Sequence, residues 1–353
     1  MSYARRWLVL TFVGVVACAA PAGAQTSNVT LRVATWGGQA GDVEINYVGN
    51  RFTRVTGIKV EWTQANPSDH VAKMLANRGR AAPFDVVMLD QTAQETAISS
   101  GLVAKLDPAQ IPNMRHLYPQ ALRKDGYGPI WLFFTIGLVY NKQRLKEAGI
   151  PEPSSWEDFW DPRLAGHISV PDISLPQGAA FVIKSAQLAG GNEKNVIPGL
   201  EKIAKLKPSS YYTASNTLQQ MLASGDVWMS VLVSGRAWSL IDRGYPIGYV
   251  VPNEGSVAGI DTIDVVANSP RTKEAHMFIN MQLDPLSQLG WAMELDQGPP
   301  SPVLESVFKA YPHLAEKMPS STADLAKLYV PDLAAYNANL KTAVDYWNRN
   351  VKR

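Results

Sequence analysis

Strand-like and helix-like segments alternate from residue 29 onward, and this alternation constrains the fold more than any other feature of the sequence. Apolar runs typical of strands are each followed by a segment with apolar residues at helical spacing; the strands are 29–36, 58–62 and 84–89, and the helices are 42–56, 71–77 and 92–99. Gly57 marks the end of the first helix. Because strands separated by helices pair in parallel, the pattern predicts an α/β fold with a parallel sheet.

Two long apolar segments, 131–140 and 259–267, predict strands by which the chain crosses between two such domains. The segments between them predict a second α/β set, with strands at 167–170 and 227–232 and helices at 177–188 and 194–206. Beyond Ser269 the spacing of apolar residues predicts helices at 274–283, 285–294, 323–327 and 340–346. A chain of this length buries enough apolar surface for two domains.

The N-terminal residues predict where in the cell the protein is located. Arg5 and Arg6 precede an apolar run at 7–20 and the small residues 22–24, so the pattern predicts a secretory signal peptide at 1–24. The apolar run is shorter than the roughly 20 residues that a membrane-spanning helix needs. An alternative stays open, because residues 15–18 resemble a bacterial lipobox, which would place a lipid on Cys18. The mature chain is therefore predicted to act in the periplasm.

Composition narrows the classes of function. Removal of residues 1–24 takes away two of the 33 basic residues and none of the 31 acidic ones, which leaves a formal charge of zero and no basic surface for nucleic acid. Cys18 is the only cysteine, so the mature chain has neither a disulfide nor a thiolate. The five histidines lack metal-ligand spacing, and no hydrolase, metalloprotease or nucleotide-binding motif occurs. These features predict a protein that is not an enzyme and carries no cofactor or metal.

Eight stretches occur in a fixed order: LRVATWG (31–37), FTRVTGIKV (52–60), FDVV (84–87), IGLVYN (136–141), SWEDFWDP (155–162), SGDV (224–227), VPNEG (251–255) and EAHMFIN (274–280). Together they resemble the periplasmic solute-binding proteins of ABC importers, of the polyamine and ferric-iron type, over nearly the whole mature chain. No single stretch is specific. Their agreement in order indicates the family.

The resemblance implies a two-lobed α/β fold of the type II periplasmic binding proteins. After the signal peptide, lobe 1 is expected at 28–136 plus 260–318 and lobe 2 at 137–259 plus 319–353. Such a protein captures a small solute as the lobes close, because the ligand contacts both lobes only in the closed form. The resemblance therefore implies a protein that binds an amine-containing solute, a polyamine or an ω-amino acid, and delivers it to a membrane permease. We expect a monomer, because closure needs both lobes free to move.

Candidate ligand-binding residues come from the strand ends, since ligands of open α/β sheets bind beyond the carboxyl ends of the strands. The resemblance implies that Asp261 holds the ligand ammonium and that Asp172 belongs to a second acidic region. Trp36 is suited to stack on a cationic or alkyl ligand. Trp131 and Phe133 are candidates near the first crossing, although an apolar crossing strand favours core packing for both. The full candidate set is Trp36, Gly37, Asp90, Gln91, Trp131, Phe133, Asp172, Ser174, Arg236 and Asp261.

The sequence departs from the polyamine pattern at 257–260, where VAGI lacks the tryptophan that boxes a long diamine. Arg236 follows the 227–232 strand and offers a bidentate site for a carboxylate or phosphonate. Asp261 and Arg236 together would suit a zwitterion such as 4-aminobutyrate, and an aminophosphonate stays open. Ferric iron is a further alternative, although 233–236 (VSGR) contains no tyrosine and Tyr211 and Tyr212 are interpreted as a loop or packing pair. A cleft enzyme and a chemoreceptor ligand-binding protein are the alternative classes.

Overall fold

The computed structural model describes residues 29–352, so the predicted signal peptide and Cys18 lie outside the described residues. Across 29–352, no helix combines the length and the apolar character needed to cross a membrane. The strands are β1 Thr30–Thr35, β2 Lys59–Gln64, β3 Val86–Asp90, β4 Val103–Ala104, β5 Ile130–Asn141, β6 Ser169–Pro171, β7 Ser210–Tyr212, β8 Met229–Val233, β9 Ile247–Val250, β10 Ser256–Val266 and β11 Leu328–Tyr329.

The α-helices are α1 Gln39–Val43, α2 Asn50–Thr56, α3 Pro67–Ala76, α4 Gln91–Ser99, α5 Lys142–Glu147, α6 Pro176–Leu188, α7 Ile197–Ile203, α8 Ser215–Ser224, α9 Ser234–Ile241, α10 Thr272–Gln282, α11 Pro285–Leu295, α12 Glu305–Ala310, α13 Pro312–Ala315, α14 Thr322–Leu325, α15 Leu333–Ala338 and α16 Leu340–Tyr346. A π-helical segment, Glu44–Gly49, joins α1 to α2, and a second, Trp347–Val351, follows α16. The remaining helical segments among the described residues are short 3-10 helices.

The main sheet has the strand order β2-β1-β3-β10-β5-β8, with β4 and β11 attached to β10 and β9 attached to β5. Strand β1 is parallel to β2 and β3, as the alternation predicts, whereas β10 is antiparallel to both β3 and β5. Strands β6 and β7 form a second, parallel pair. The sheet is therefore mixed where the chain returns through β10.

Strands β5 and β10 are the predicted crossing strands, and each serves two hydrophobic cores. In β5, Trp131 to Phe133 belong to a core shared with β1 and β3, whereas Ile136 and Leu138 belong to a second core shared with β6 and β8. In β10, Val257 packs in the second core and Ala258 in the first. We call the part of the chain around the first core lobe 1 and the part around the second core lobe 2. The expected two-lobed fold is confirmed, and the exact lobe boundaries stay predictions.

Local signals explain where the elements begin and end. The helix predicted at 42–56 starts earlier, at Gln39, and ends at Gly57, whose φ of 74° lies in the left-handed region that favours glycine. Helix α3 also starts earlier than its apolar spacing indicates, because Asn66 and Asp69 form a capping box around Pro67. Polar caps carry no apolar periodicity, so the pattern alone misses them.

The two lobes also touch outside the crossing strands. Lys317 Nζ lies 2.6 Å from an Asp242 carboxylate oxygen at the end of α9, and Gln91 Nε2 donates to the Pro331 carbonyl at 3.2 Å. Gly235 is close enough to α11 that an added Cβ would lie 2.9 Å from the Leu295 carbonyl oxygen. These contacts describe a structure in which the lobes are drawn together.

Candidate functional site

Two aspartates face each other in the middle of β10, opposite the start of β5. Asp90 ends β3 and lies directly opposite Asp261 in the antiparallel ladder between β3 and β10. Residues paired in this way have Cβ atoms about 4.5–5.5 Å apart, and like charges at such positions destabilise a sheet. Both side chains are half-buried, which weakens the screening of this repulsion by water.

No basic side chain within residues 29–352 forms an ion pair with either aspartate of this pair. Asp90 Oδ1 caps α4 by accepting a hydrogen bond from the Ala93 backbone N–H at 2.8 Å. No donor within residues 29–352 hydrogen-bonds to the Asp261 carboxylate, and neither aspartate forms an ion pair with a described residue. Burial raises the pKa of Asp261 well above its ordinary range, and the nearby charge of Asp90 raises it further. Burial also raises the pKa of Asp90. Within residues 29–352, the pair therefore has no counter-cation, and burial disfavours the ionised form of both carboxyl groups.

A cavity of about 60 Å³, here called the acidic cavity, lies beside this pair and between the lobes. Asp90 is its acidic group, and most of its other walls are apolar. The lining comes from lobe 1 (Asp90, Gln91, Thr92), from α6 (Pro176, Ala179, Ala180, Ile183), from the crossing strands (Phe134, Ile136, Val257, Ala258, Gly259, Ile260) and from Pro331 and Leu333. The volume admits only a few water molecules, so entry of an organic ligand requires the lobes to separate.

Phe134 is a lining residue that the sequence analysis missed. Its ring covers Gly259, and a Cβ added at Gly259 would overlap it. Gly259 lies within the segment that lacks the expected tryptophan, so an aromatic ring is supplied here from the neighbouring strand instead. The alternation of side chains between the two faces of β5 could have indicated Phe134. Which residues of β5 share a face, however, depends on a register shift between Asp261 and Thr262 in the neighbouring strand.

The aromatic candidates form a row on lobe 1. The ring of Trp36 is half-buried and lies 6.1 Å from that of Trp131, which in turn packs edge-on against Trp291 at 4.5 Å. Trp131 and Phe133 are 2% and 1% exposed, so both contribute to the core, and Trp131 supports Trp36 from behind. Gly37, next to Trp36, is exposed and has open space around its Cα.

The remaining candidates lie on lobe 2 and already have partners. Asp172 accepts hydrogen bonds from the Ser174 backbone N–H and hydroxyl, and it forms an ion pair with Lys352. Arg236 is exposed on α9, and its Nη1 donates to Asn216 Oδ1 at 3.3 Å. Among the sequence candidates, only Asp90 and Gln91 line the acidic cavity, and Asp261 adjoins it through the ladder. Arg236 is not among the cavity residues.

Two further features bear on the alternatives. The Tyr211 hydroxyl donates to the Val351 carbonyl, and the Tyr212 hydroxyl donates to the Val231 carbonyl, so both tyrosines pack as interpreted from the sequence. Within 29–352, no group of three or more His, Cys, Asp or Glu side chains is arranged to hold a metal ion. A second cavity of about 300 Å³ lies on the other face of β5, between Thr135, Trp238, Tyr249 and the segment 315–319, and contains none of the sequence candidates.

Known proteins resemble this chain in sequence and in fold. The spermidine/putrescine-binding periplasmic protein 1 of Haemophilus influenzae is 24% identical over 263 residues, which cover 73% of this chain and 71% of that protein. A putrescine-binding periplasmic protein of Escherichia coli is 22% identical over 304 residues, with 80% of each chain covered. The crystal structure of an ABC transporter protein from Clostridium perfringens superposes with a TM-score of 0.79 at 26% identity and covers 91% of this chain and 99% of that one.

A family model gives the decisive comparison. The model described as bacterial extracellular solute-binding protein matches residues 48–316, which is well over half of the chain and includes Asp90, both crossing strands and Asp261. The match spans parts of both lobes, as the two-lobed architecture requires. The chain therefore belongs to the family of bacterial extracellular solute-binding proteins.

Proposed function

We propose that this protein captures a small organic ammonium ion in the periplasm and delivers it to the membrane permease of an ABC importer. The observation that carries the proposal is the pair Asp90 and Asp261, which face each other without a cation from the described residues. An ammonium group placed between them turns a repulsive pair into charge-assisted hydrogen bonds. The apolar walls of the acidic cavity suit the alkyl part of such a ligand.

Closure of the lobes provides the capture step. Asp90 and Gln91 stand on lobe 1, whereas Pro176 and Ile183 stand on lobe 2, so a ligand in the acidic cavity contacts both. These contacts exist only when the lobes are together, and their free energy favours the closed form. The permease then recognises the closed shape, and the solute leaves unchanged.

The names of the relatives support an amine as the ligand class. The proteins from Haemophilus influenzae and Escherichia coli are both named as periplasmic binders of spermidine or putrescine. The proposed periplasmic location agrees with these names and with the signal peptide predicted at 1–24. A polyamine and an ω-amino acid such as 4-aminobutyrate share the ammonium that this site recognises, and the anionic end of the latter would need a cation such as Arg236.

A calorimetric and thermal-shift panel tests the proposal on the mature protein after bound ligand has been removed by partial unfolding. Putrescine, spermidine, butylamine, 4-aminobutyrate, 2-aminoethylphosphonate and ferric citrate form the panel. At a concentration about 100 times its dissociation constant, a ligand adds about 2.7 kcal/mol of stability, which raises Tm by several degrees. Amines are expected to give this shift, and their recovery unchanged after incubation excludes turnover.

Two variants link the shift to the site. Asp261→Asn is expected to weaken amine binding at least about tenfold, because the charge-assisted bond is lost. Asp264→Asn is the matched control: Asp264 lies on the same strand but bonds to Gln94 and the Gly128 backbone within lobe 1. A shift by ferric citrate alone, or equal amine affinity in Asp261→Asn, would refute the amine proposal.

A further inference from the structure

The two lobes contribute different chemistry to the acidic cavity. Its polar side chains, Asp90, Gln91 and Thr92, all come from lobe 1, at the end of β3 and the start of α4. The wall that α6 contributes from lobe 2, here called the α6 wall, carries no polar side chain and consists of Pro176, Ala179, Ala180 and Ile183. Ala180 and Ile183 belong to the hydrophobic core of lobe 2, so packing fixes this wall. The cavity therefore offers a charge from one lobe and alkyl surface from the other.

The α6 wall lies within reach of a ligand bound to Asp90. Positions 176, 179, 180 and 183 are three or four residues apart, so they share one face of the helix. Asp90 lines the same cavity, whose volume is about 60 Å³. A ligand whose ammonium contacts Asp90 thus reaches this helix face with a short alkyl chain. The far end of such a ligand contacts apolar side chains.

The α6 wall also lacks a cation. Helix α6 has one lysine, Lys184, whose Nζ donates to the Glu254 carbonyl at 2.9 Å and lies 5.8 Å from the centre of the Tyr329 ring. Neither Lys184 nor Arg236 lines the acidic cavity. Within residues 29–352, the cavity lining therefore has no basic side chain for a ligand carboxylate and, apart from Asp90, no carboxylate for a second ammonium.

We propose that the α6 wall restricts the ligand to a short-chain primary monoamine, with Ala179 as a specificity-determining position. The inference rests on the proposed function and names its substrate class. A second ammonium or a carboxylate at the far end of the ligand loses its hydration against the α6 wall and gains no partner of opposite charge there. A methyl group at the same place moves from water into apolar surroundings, which favours binding.

A comparison of butylamine, putrescine and 4-aminobutyrate in wild-type protein tests the inference. Each ligand has an ammonium on an alkyl chain of similar length, and the far end is a methyl, an ammonium and a carboxylate, respectively. Butylamine is expected to bind at least about tenfold more tightly than either of the others in calorimetry. Equal affinity for putrescine or for 4-aminobutyrate would overturn the inference while amine binding stands.

Substitutions at Ala179 link the preference to the α6 wall. Ala179 is half-buried, so a larger side chain is accommodated more readily there than at Ala180, which is 2% exposed. Ala179→Asp is expected to tighten putrescine binding at least about tenfold and to weaken butylamine binding. Ala179→Asn has the same size without the charge and should not produce this gain. Ala189→Asp is the matched control, because it adds the same charge at the exposed C-terminal end of α6, outside the cavity.

Each outcome has one meaning. No putrescine gain in Ala179→Asp, or an equal gain in Ala179→Asn or Ala189→Asp, overturns the role of the α6 wall. If Ala179→Asp does not fold, the comparison of the three ligands in wild-type protein decides. Failure of the proposed function looks different: wild-type protein binds none of the amines, or Asp261→Asn binds them as wild type does, and the specificity inference then falls with it.

Discussion

Asp261 lies directly opposite Asp90 across the β3–β10 ladder, and no basic side chain of the described residues forms an ion pair with either one. A folded protein rarely places two partly buried carboxylates together without a compensating charge. The arrangement lowers the stability of the ligand-free state, and that cost is recovered when a cation binds.

Replacement of Asp261 by Asn is therefore expected to stabilise the ligand-free protein at neutral pH, by about 1 kcal/mol, while removing its response to amines. The pKa of Asp261 in the folded protein is raised above its ordinary 3.8. The protonated group therefore contributes its whole stabilisation below pH 3.8, and this contribution is lost as the pH rises through the folded pKa. Denaturant unfolding at several pH values measures this slope. A destabilised Asp261→Asn protein would contradict the repulsion argument.

Amine affinity should fall as pH decreases through the raised pKa of Asp261. Binding of an ammonium favours the ionised carboxylate, so the bound state releases a proton that the free state holds at low pH. Calorimetry in buffers of different ionisation enthalpy counts that proton directly. Wild-type protein should release protons on binding butylamine, and the ionisation of the amine itself is constant over this range. Absence of proton release across the acidic range would show that Asp261 does not contact the ligand.

Gly259 should not tolerate a side chain. The ring of Phe134 covers this position, and overpacking of this kind costs typically about 1–3 kcal/mol. Gly259→Ala is expected to lower Tm and weaken ligand binding, because the displaced ring moves into the acidic cavity. Phe134→Leu in the same background should restore part of the stability. Gly166→Ala serves as a different kind of comparison, since its penalty comes from a φ of 82° and not from a neighbouring side chain.

The buried Glu44 should give the free energy of unfolding a second dependence on pH, which does not involve the ligand site. It is fully buried on lobe 1 beside Trp291, whose Nε1 donates to Oε2 at 3.2 Å, and burial raises its pKa from 4.5 to about 8. Between pH 4.5 and about 8, the folded protein keeps this proton whereas the unfolded chain loses it. The free energy of unfolding should therefore fall by about 1.4 kcal/mol per pH unit in this range and level off at higher pH. Glu44→Gln should remove this slope, and Glu61→Gln, at an exposed position on β2, should keep it. Equal slopes in wild type and Glu44→Gln would contradict the assignment.

The fold followed largely from local patterns. The alternation up to β3 and the two long apolar segments predicted β1, β2, β3, β5 and β10, and the order of short motifs indicated the two lobes. The short elements β4, β7, β9 and β11 were not predicted, because two to four residues carry too little periodicity to separate a strand from a loop.

The site was only partly predictable. Asp90 and Asp261 were nominated as strand ends, but that they face each other depends on the register of two strands far apart in sequence. The partner of Asp172 lies 180 residues away, beyond any local signal. Arg236 was expected at the site because it follows β8; the chain instead turns into α9 at Ser234, and the side chain at 236 is exposed next to Asn216.

The register shift in the crossing strands has a consequence for how this protein can change over generations. Asp261 is paired with Leu132 and Thr262 with Ile130, so Trp131 is one residue more than β10 requires. A lost or inserted residue in this stretch turns every side chain beyond it to the opposite face, which no single substitution does. During evolution, this part of the fold therefore tolerates many substitutions but not a change in the number of residues. A deletion of one codon here would alter which side chains face the core.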